Sequence, residues 1–145
     1  MKSILGIGNA LTDILSFLPD DELLLRFHLP KGSMQHVDQT TGDKIWKILK
    51  PMGIQYVAGG SAANTISGAA IFGMEAGFIG KVGDDELGSL FKADIEQNGV
   101  KSTLLKGKAS SGRAMVFITD PNAERTFAVY LGAALELVPE DLKPE

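Results

Sequence analysis

Apolar residues along this chain fall in short blocks, and a glycine, a proline or an acidic cluster closes nearly every one. Residues 4–8 form a first apolar run that predicts a strand, and residues 14–18 form a second extended run that Pro19 breaks. Asp20, Asp21 and Glu22 then supply an N-cap and a negative first turn for a helix reaching about His28, with Pro30 and Gly32 stopping it. Residues 34–37 read as a strand. Residues 38–49 place Ile45, Ile48 and Leu49 beside Trp46 and end at Pro51 and Gly53, the pattern of an amphipathic surface helix. After a strand at 55–58, residues 61–72 carry Ala and Ile at helical spacing up to Gly73, which predicts a helix buried on most sides. Residues 76–82 read as a core strand. Asp84, Asp85 and Glu86 cap a helix running to Asn98, with Gly99 as its left-handed terminator. Residues 114–119 and 126–131 flank a turn-rich Asp120-Pro121-Asn122-Ala123-Glu124, which suits an antiparallel hairpin, and Val138-Pro139-Glu140-Asp141 looks like the start of another helix.

Strands alternating with helices imply an α/β fold with a parallel sheet covered by helices. The later hairpin does not fit that alternation. The expectation is one α/β body with a small β appendage assembled from residues 12–37 and 112–131, and no internal repeat or low-complexity tract interrupts it. At 145 residues with 44% hydrophobic and 22% charged, the chain can bury one core but not two full domains. The absence of cysteine excludes disulfides and thiolate zinc sites, and leaves only His28 and His36 as imidazole ligands. A net charge of −4 without a basic stripe argues against a nucleic-acid partner. The N-terminus turns polar at Asn9, Thr12 and Asp13, and no apolar run nears the roughly 20 residues of a membrane helix, so a cytoplasmic protein with no membrane partner is expected.

Glycine is the one excess, at 17 of 145 residues against a usual share of about 7%. Ligands of open α/β sheets collect at the carboxyl ends of strands, which directs attention to two loops. The first holds Asn9 and Asp13, an amide and a carboxylate suited to the adjacent hydroxyls of a sugar. The plainer alternative is an Asn turn and a carboxylate that caps a backbone amide. The second loop, Gly59-Gly60-Ser61-Ala62-Ala63-Asn64, leads into a helix whose free amides face incoming oxygens. Against a simple tight turn capped by Ser61 stands Asn64, a polar amide one turn into an Ala-rich, buried helix, which needs a partner that a ligand would supply.

Other motifs are weaker. Gly6-Ile7-Gly8 lacks the third glycine and following helix of a dinucleotide site, and Gly80-Lys81 lacks the remainder of a phosphate loop. Asp84-Asp85-Glu86 reads as a helix cap before a cation site. Arg125 stands either as a solvated edge charge or as a group reaching an anion beneath the hairpin.

GGSAANTISGAAIFGMEAGFIGKVGDDELG, from Gly59 to Gly88, resembles the first signature of the PfkB, or ribokinase-like, family of carbohydrate kinases. GNALTD at Gly8 to Asp13 is similar to that family's N-terminal sugar loop. The strings PKGSMQHVD and SGRAMVFITDPNAERTFAVYLGAA resemble its adenosine-kinase-like branch. The resemblance implies part of a three-layer α/β/α core with a β-sheet lid, and Mg-assisted transfer of the γ-phosphoryl group of ATP to a primary hydroxyl of a sugar or nucleoside. It implies that Asn9, Asp13, Gly59, Gly60 and Asn64 bind sugar hydroxyls and that Ser61 lines the loop. Met34 and His36 would face the substrate from the lid, with Arg125 near the phosphate path.

The family's second signature, a Gly-Ala-Gly-Asp run carrying the catalytic base and anion hole, occurs nowhere in this chain. The expectation is therefore the N-terminal, substrate-binding half of one kinase domain, with the nucleotide-binding half absent. Such a chain holds no catalytic residue, binds neither ATP nor Mg²⁺ strongly, and is inactive alone. The alternative is a non-catalytic sugar- or nucleoside-binding module. An apolar edge left uncovered would make the chain dimerise or aggregate, and the expected dimer is a homodimer through the lid.

Overall fold

The computed structural model describes residues 2–120 and 122–143. Its strands are β1 (Ser3–Ile7), β2 (Leu11–Leu18), β3 (Met34–His36), β4 (Gln55–Gly59), β5 (Glu75–Val82), β6 (Lys101–Lys106), β7 (Gly112–Thr119) and β8 (Glu124–Tyr130). Its helices are α1 (Glu22–Arg26), α2 (Gln39–Leu49), α3 (Ser61–Ile71) and α4 (Glu86–Gln97). The chain divides into two compact units, the first formed by Met1–Thr12, Ala58–Gly112 and Leu131–Glu145, the second by Asp13–Val57 and Arg113–Tyr130.

The first unit is built on a parallel sheet in the order β1-β5-β6. Alternation along β5 turns Ala76, Phe78 and Val82 inward, where they pack with Ala63 and Ile66 of α3 and with Phe91 and Ile95 of α4. The rings of Phe78 and Phe91 lie 5.8 Å apart. On β1, Gly6 leaves room for Ile66, and just past the strand a Cβ on Gly8 would stand 2.8 Å from that of Ala62, so bare backbone lets α3 lie directly on this segment. α3 and α4 form one helical layer. The opposite side leaves Leu5 61% exposed, and its β5 residue Lys81 donates to the Glu136 carbonyl at 3.0 Å and to Asp141 at 2.7 Å. Both acceptors belong to short 3₁₀ segments, Gly132–Glu136 and Pro139–Asp141, so the segment expected to open a further α-helix forms a 3₁₀ turn instead. β6 escapes the sequence pattern because it opens with Lys101, Ser102 and Thr103.

In α4 the sequence signals hold. The carboxylate of the N-cap Asp85 accepts from Gly88 N at 2.9 Å, and Gly99 adopts φ +84 just past the helix.

The second unit carries a sheet in the order β3-β8-β7-β2-β4, with β2 and β4 running on into the first unit. β7 and β8 form the antiparallel hairpin, from Arg113 opposite Tyr130 to Thr119 opposite Glu124, and β3 joins β8 in parallel. Pro121 of the connecting turn lies outside the described residues. The strand expected at 55–58 is an edge strand of this sheet. The unit also takes in α2, which the expected pieces 12–37 and 112–131 leave out. α2 is capped by Asp38, which accepts from Thr41 N at 2.7 Å, and buries Gly42, Ile45 and Leu49. Against it lies Arg113, fully buried, paired with Asp43 and stacked 5.4 Å from the Trp46 ring and 5.0 Å from that of Tyr130. α1 is shorter than expected. It leaves by His28 at φ +53, and Leu29 N bonds to Leu24 O at 2.9 Å.

Candidate functional site

In the first unit, β4 ends on Gly59 and the chain enters α3 through Gly60, which serves as the helix N-cap. Gly60 sits at φ +95 and ψ 136, a conformation essentially reserved for glycine. A Cβ there would stand 2.5 Å from the carbonyl oxygen of Asn9, so the loop after β1 and the Gly-Gly turn meet backbone to backbone. Among the described residues no side chain caps α3, and the first turn therefore presents amides that await an oxygen acceptor. Ser61 does not cap the helix: it is the first helical residue, exposed, and its carbonyl accepts from Thr65 Oγ1 at 2.8 Å. Asn64 is also exposed, one turn into the helix.

The last point corrects an expectation. α3 buries only Ala63 and Ile66, because it covers the sheet with one stripe and leaves Asn64 and Thr65 outside. Asn64 is open to solvent, so burial creates no demand for a ligand there. Its position beside the open amides remains.

The second unit holds the other candidates. Asp13 lies on β2, half-buried, and burial pushes its carboxyl up to about 6. Met34 and His36 are exposed on β3, and Arg125 is exposed on the neighbouring β8, where its register partner is Ile118 of β7. The structure thus brings Asn9, Gly59, Gly60, Ser61 and Asn64 together in one unit, and sets Met34, His36 and Arg125 on adjoining strands of the other.

Among the described residues no group of three or more His, Asp or Glu side chains converges as a metal ion requires. Asp85 is committed to Gly88 N and to Ser111, and Asp84 is a surface carboxylate 3.2 Å from Lys106. Lys81 is consumed by Glu136 and Asp141. These residues fit neither a magnesium ion nor a nucleotide triphosphate. Among the described residues, no helix is long and apolar enough to cross a membrane.

Sequence reasoning missed two charged residues. Arg113 stands near the start of β7 like any strand residue, and only its burial against Trp46 and Tyr130 marks it as core. Asp94 resembles a solvated helix carboxylate, yet it accepts from Ala58 N at 2.6 Å, directly before the Gly-Gly turn.

A parallel α/β unit whose Gly-Gly turn feeds an uncapped helix, with a second unit that carries a mixed sheet and is reached by four chain crossings, is the architecture of the ribokinase-like sugar and adenosine kinases. The crystal structure of a probable sugar kinase from Rhizobium etli superimposes with a TM-score of 0.82 at 34% identity, over 98% of this chain and 42% of that one. That of adenosine kinase from Sinorhizobium meliloti gives 0.79 at 36% identity, with the same 98% and 42% coverage. A fructokinase of Klebsiella pneumoniae is 37% identical over 89 residues, which are 59% of this chain and 29% of that protein. The family model of the pfkB carbohydrate kinases matches residues 36–145, and the chain belongs to that family. It spans less than half the length of these relatives.

Proposed function

We propose that this chain is the substrate-binding and lid half of an ATP-dependent kinase that phosphorylates a primary hydroxyl of a sugar or nucleoside. The observation that carries this reading is the contact of Gly60 with the Asn9 carbonyl beneath the uncapped start of α3. Two backbones meet there without side chains, and the amides beside them are free to donate to sugar oxygens. Asn9 and Asn64 add amides that donate and accept, Ser61 lines the turn, and the ionised Asp13 accepts from hydroxyls. In the second unit, proposed as the lid, Met34 and His36 take the substrate's less polar parts and Arg125 serves the incoming phosphate. Kinship with both a fructokinase and an adenosine kinase supports a substrate that carries a furanose ring.

ATP and Mg²⁺ belong in this reading to the whole protein, which works in the cytoplasm. The chain alone lacks the Gly-Ala-Gly-Asp run and is inactive. A homodimer through the second unit's sheet is part of the proposal, supported by Phe17 at 70% and Met34 at 63% exposure. Calorimetric titration of the 145-residue chain with ribose, fructose and adenosine tests the reading. Saturable binding of at least one is expected, and a well-folded chain that binds none overturns it.

A further inference from the structure

The Gly59-Gly60 pair has no side chain to hold it, and glycine gives up the most conformational freedom of any residue when fixed. Something outside the turn must therefore set where its backbone lies. On the far side the turn is held by α3. On the near side the last fixed point is Ala58, a residue of the edge strand β4 that is only 8% exposed. Its N–H donates to Asp94 Oδ2 of α4 at 2.6 Å. A carboxylate acceptor makes a shorter and stronger bond to an amide than a neutral one does, and a buried N–H that loses its acceptor is left without water. α4 is itself held at its other end: Leu87 O accepts from Thr12 Oγ1 at 3.0 Å, and Asp85 accepts from Ser111 Oγ at 2.6 Å and Ser111 N at 2.8 Å. The carboxylate of Asp94 is thus presented by an anchored helix.

We infer that Asp94 is a positioning residue for substrate, clamping the end of β4 so that the Gly59-Gly60 backbone stays against Asn9 when sugar oxygens arrive. This rests on the substrate reading proposed above. The test uses the full 145-residue chain, wild type, Asp94→Ala and Asp94→Asn, with amide hydrogen exchange by NMR and titration with adenosine. In Asp94→Ala the amides of Ala58, Gly59 and Gly60 exchange about tenfold faster while those of Phe78 and Phe91 are unchanged, and the adenosine Kd rises about tenfold. Asp94→Asn, which keeps an acceptor, recovers most of both effects. Should Asp94→Ala lose its fold, Asp94→Glu displaces the acceptor by one methylene and is expected to weaken adenosine binding with core exchange intact. Exchange at 58–60 that is unchanged, or that changes only in step with Phe78 and Phe91, overturns the inference. If the wild-type chain binds adenosine and the Ala variant binds equally well, the role of Asp94 alone fails. A wild-type chain that binds none of adenosine, ribose and fructose defeats the substrate reading, and the role of Asp94 with it; where it binds ribose or fructose and not adenosine, that sugar is the ligand titrated against the variants.

Discussion

Replacing Asp13 by Asn should make the chain more stable at neutral pH and a poorer binder. Burial pushes the Asp13 carboxyl up to about 6, so the folded chain holds its proton more tightly than the unfolded chain does. Between about pH 4 and pH 6 the unfolded state releases that proton first, and stability falls as pH rises through this window before levelling off above about 7. A shift of roughly two units corresponds to at most about 3 kcal/mol. The carboxyl keeps partial access to water, which reduces the figure to about 1–2 kcal/mol. Asn has the same shape and no charge to desolvate, so Asp13→Asn should gain about 1–2 kcal/mol at pH 7.5 and almost nothing near pH 4. Urea unfolding at both pH values is the assay, followed by the fluorescence of Trp46, the only tryptophan and a member of the same unit. In parallel, adenosine binding by Asp13→Asn should weaken about tenfold or more, because its hydroxyls lose a charged acceptor. A variant less stable than wild type at pH 7.5, or one whose gain is equal at both pH values, would refute the reasoning.

Three further substitutions probe the frame. Gly60→Ala places a Cβ against the Asn9 carbonyl at a backbone conformation that L-residues avoid; a loss of about 2–3 kcal/mol and of riboside binding is expected from urea midpoints and calorimetry, and a tolerated alanine would contradict the geometry. Asp43→Ala leaves the buried Arg113 guanidinium with only the Trp46 and Tyr130 rings, and should cost about 3 kcal/mol, with Asp43→Asn costing about half of that; equal losses would argue against a charge effect. Asp85→Ala removes the bonds to Gly88 N, Ser111 N and Ser111 Oγ, and thermal unfolding followed by circular dichroism should show a loss of about 2–3 kcal/mol against about 1 for Ser111→Ala.

What the sequence discloses is what local physics controls. The cap at Asp85, the terminator Gly99 and the β7–β8 hairpin are short-range features, and the structure has them where the residues place them. The Gly59-Gly60 turn is legible for the same reason, because the positive φ of Gly60 and the helix that follows it are local features. Long-range partners decide the rest. Nothing near Gln55 announces that β4 joins β2 at a sheet edge, and polar residues at the start of β6 disguise a strand that β5 recruits. Asn64 looks buried because its neighbours are alanines, yet α3 turns only one stripe inward. Arg113 and Asp94 each gain meaning from a residue at least 36 positions away, Asp43 and Ala58 respectively.

The bare backbone at Gly59 and Gly60 is the foundation of the functional account, and a crystal structure of this chain grown with adenosine puts it to the most direct test. The account predicts ribose oxygens within hydrogen-bond distance of the amides at this turn, alongside Asn9. A nucleoside found elsewhere, or a turn packed shut by the protein's own side chains, would contradict it.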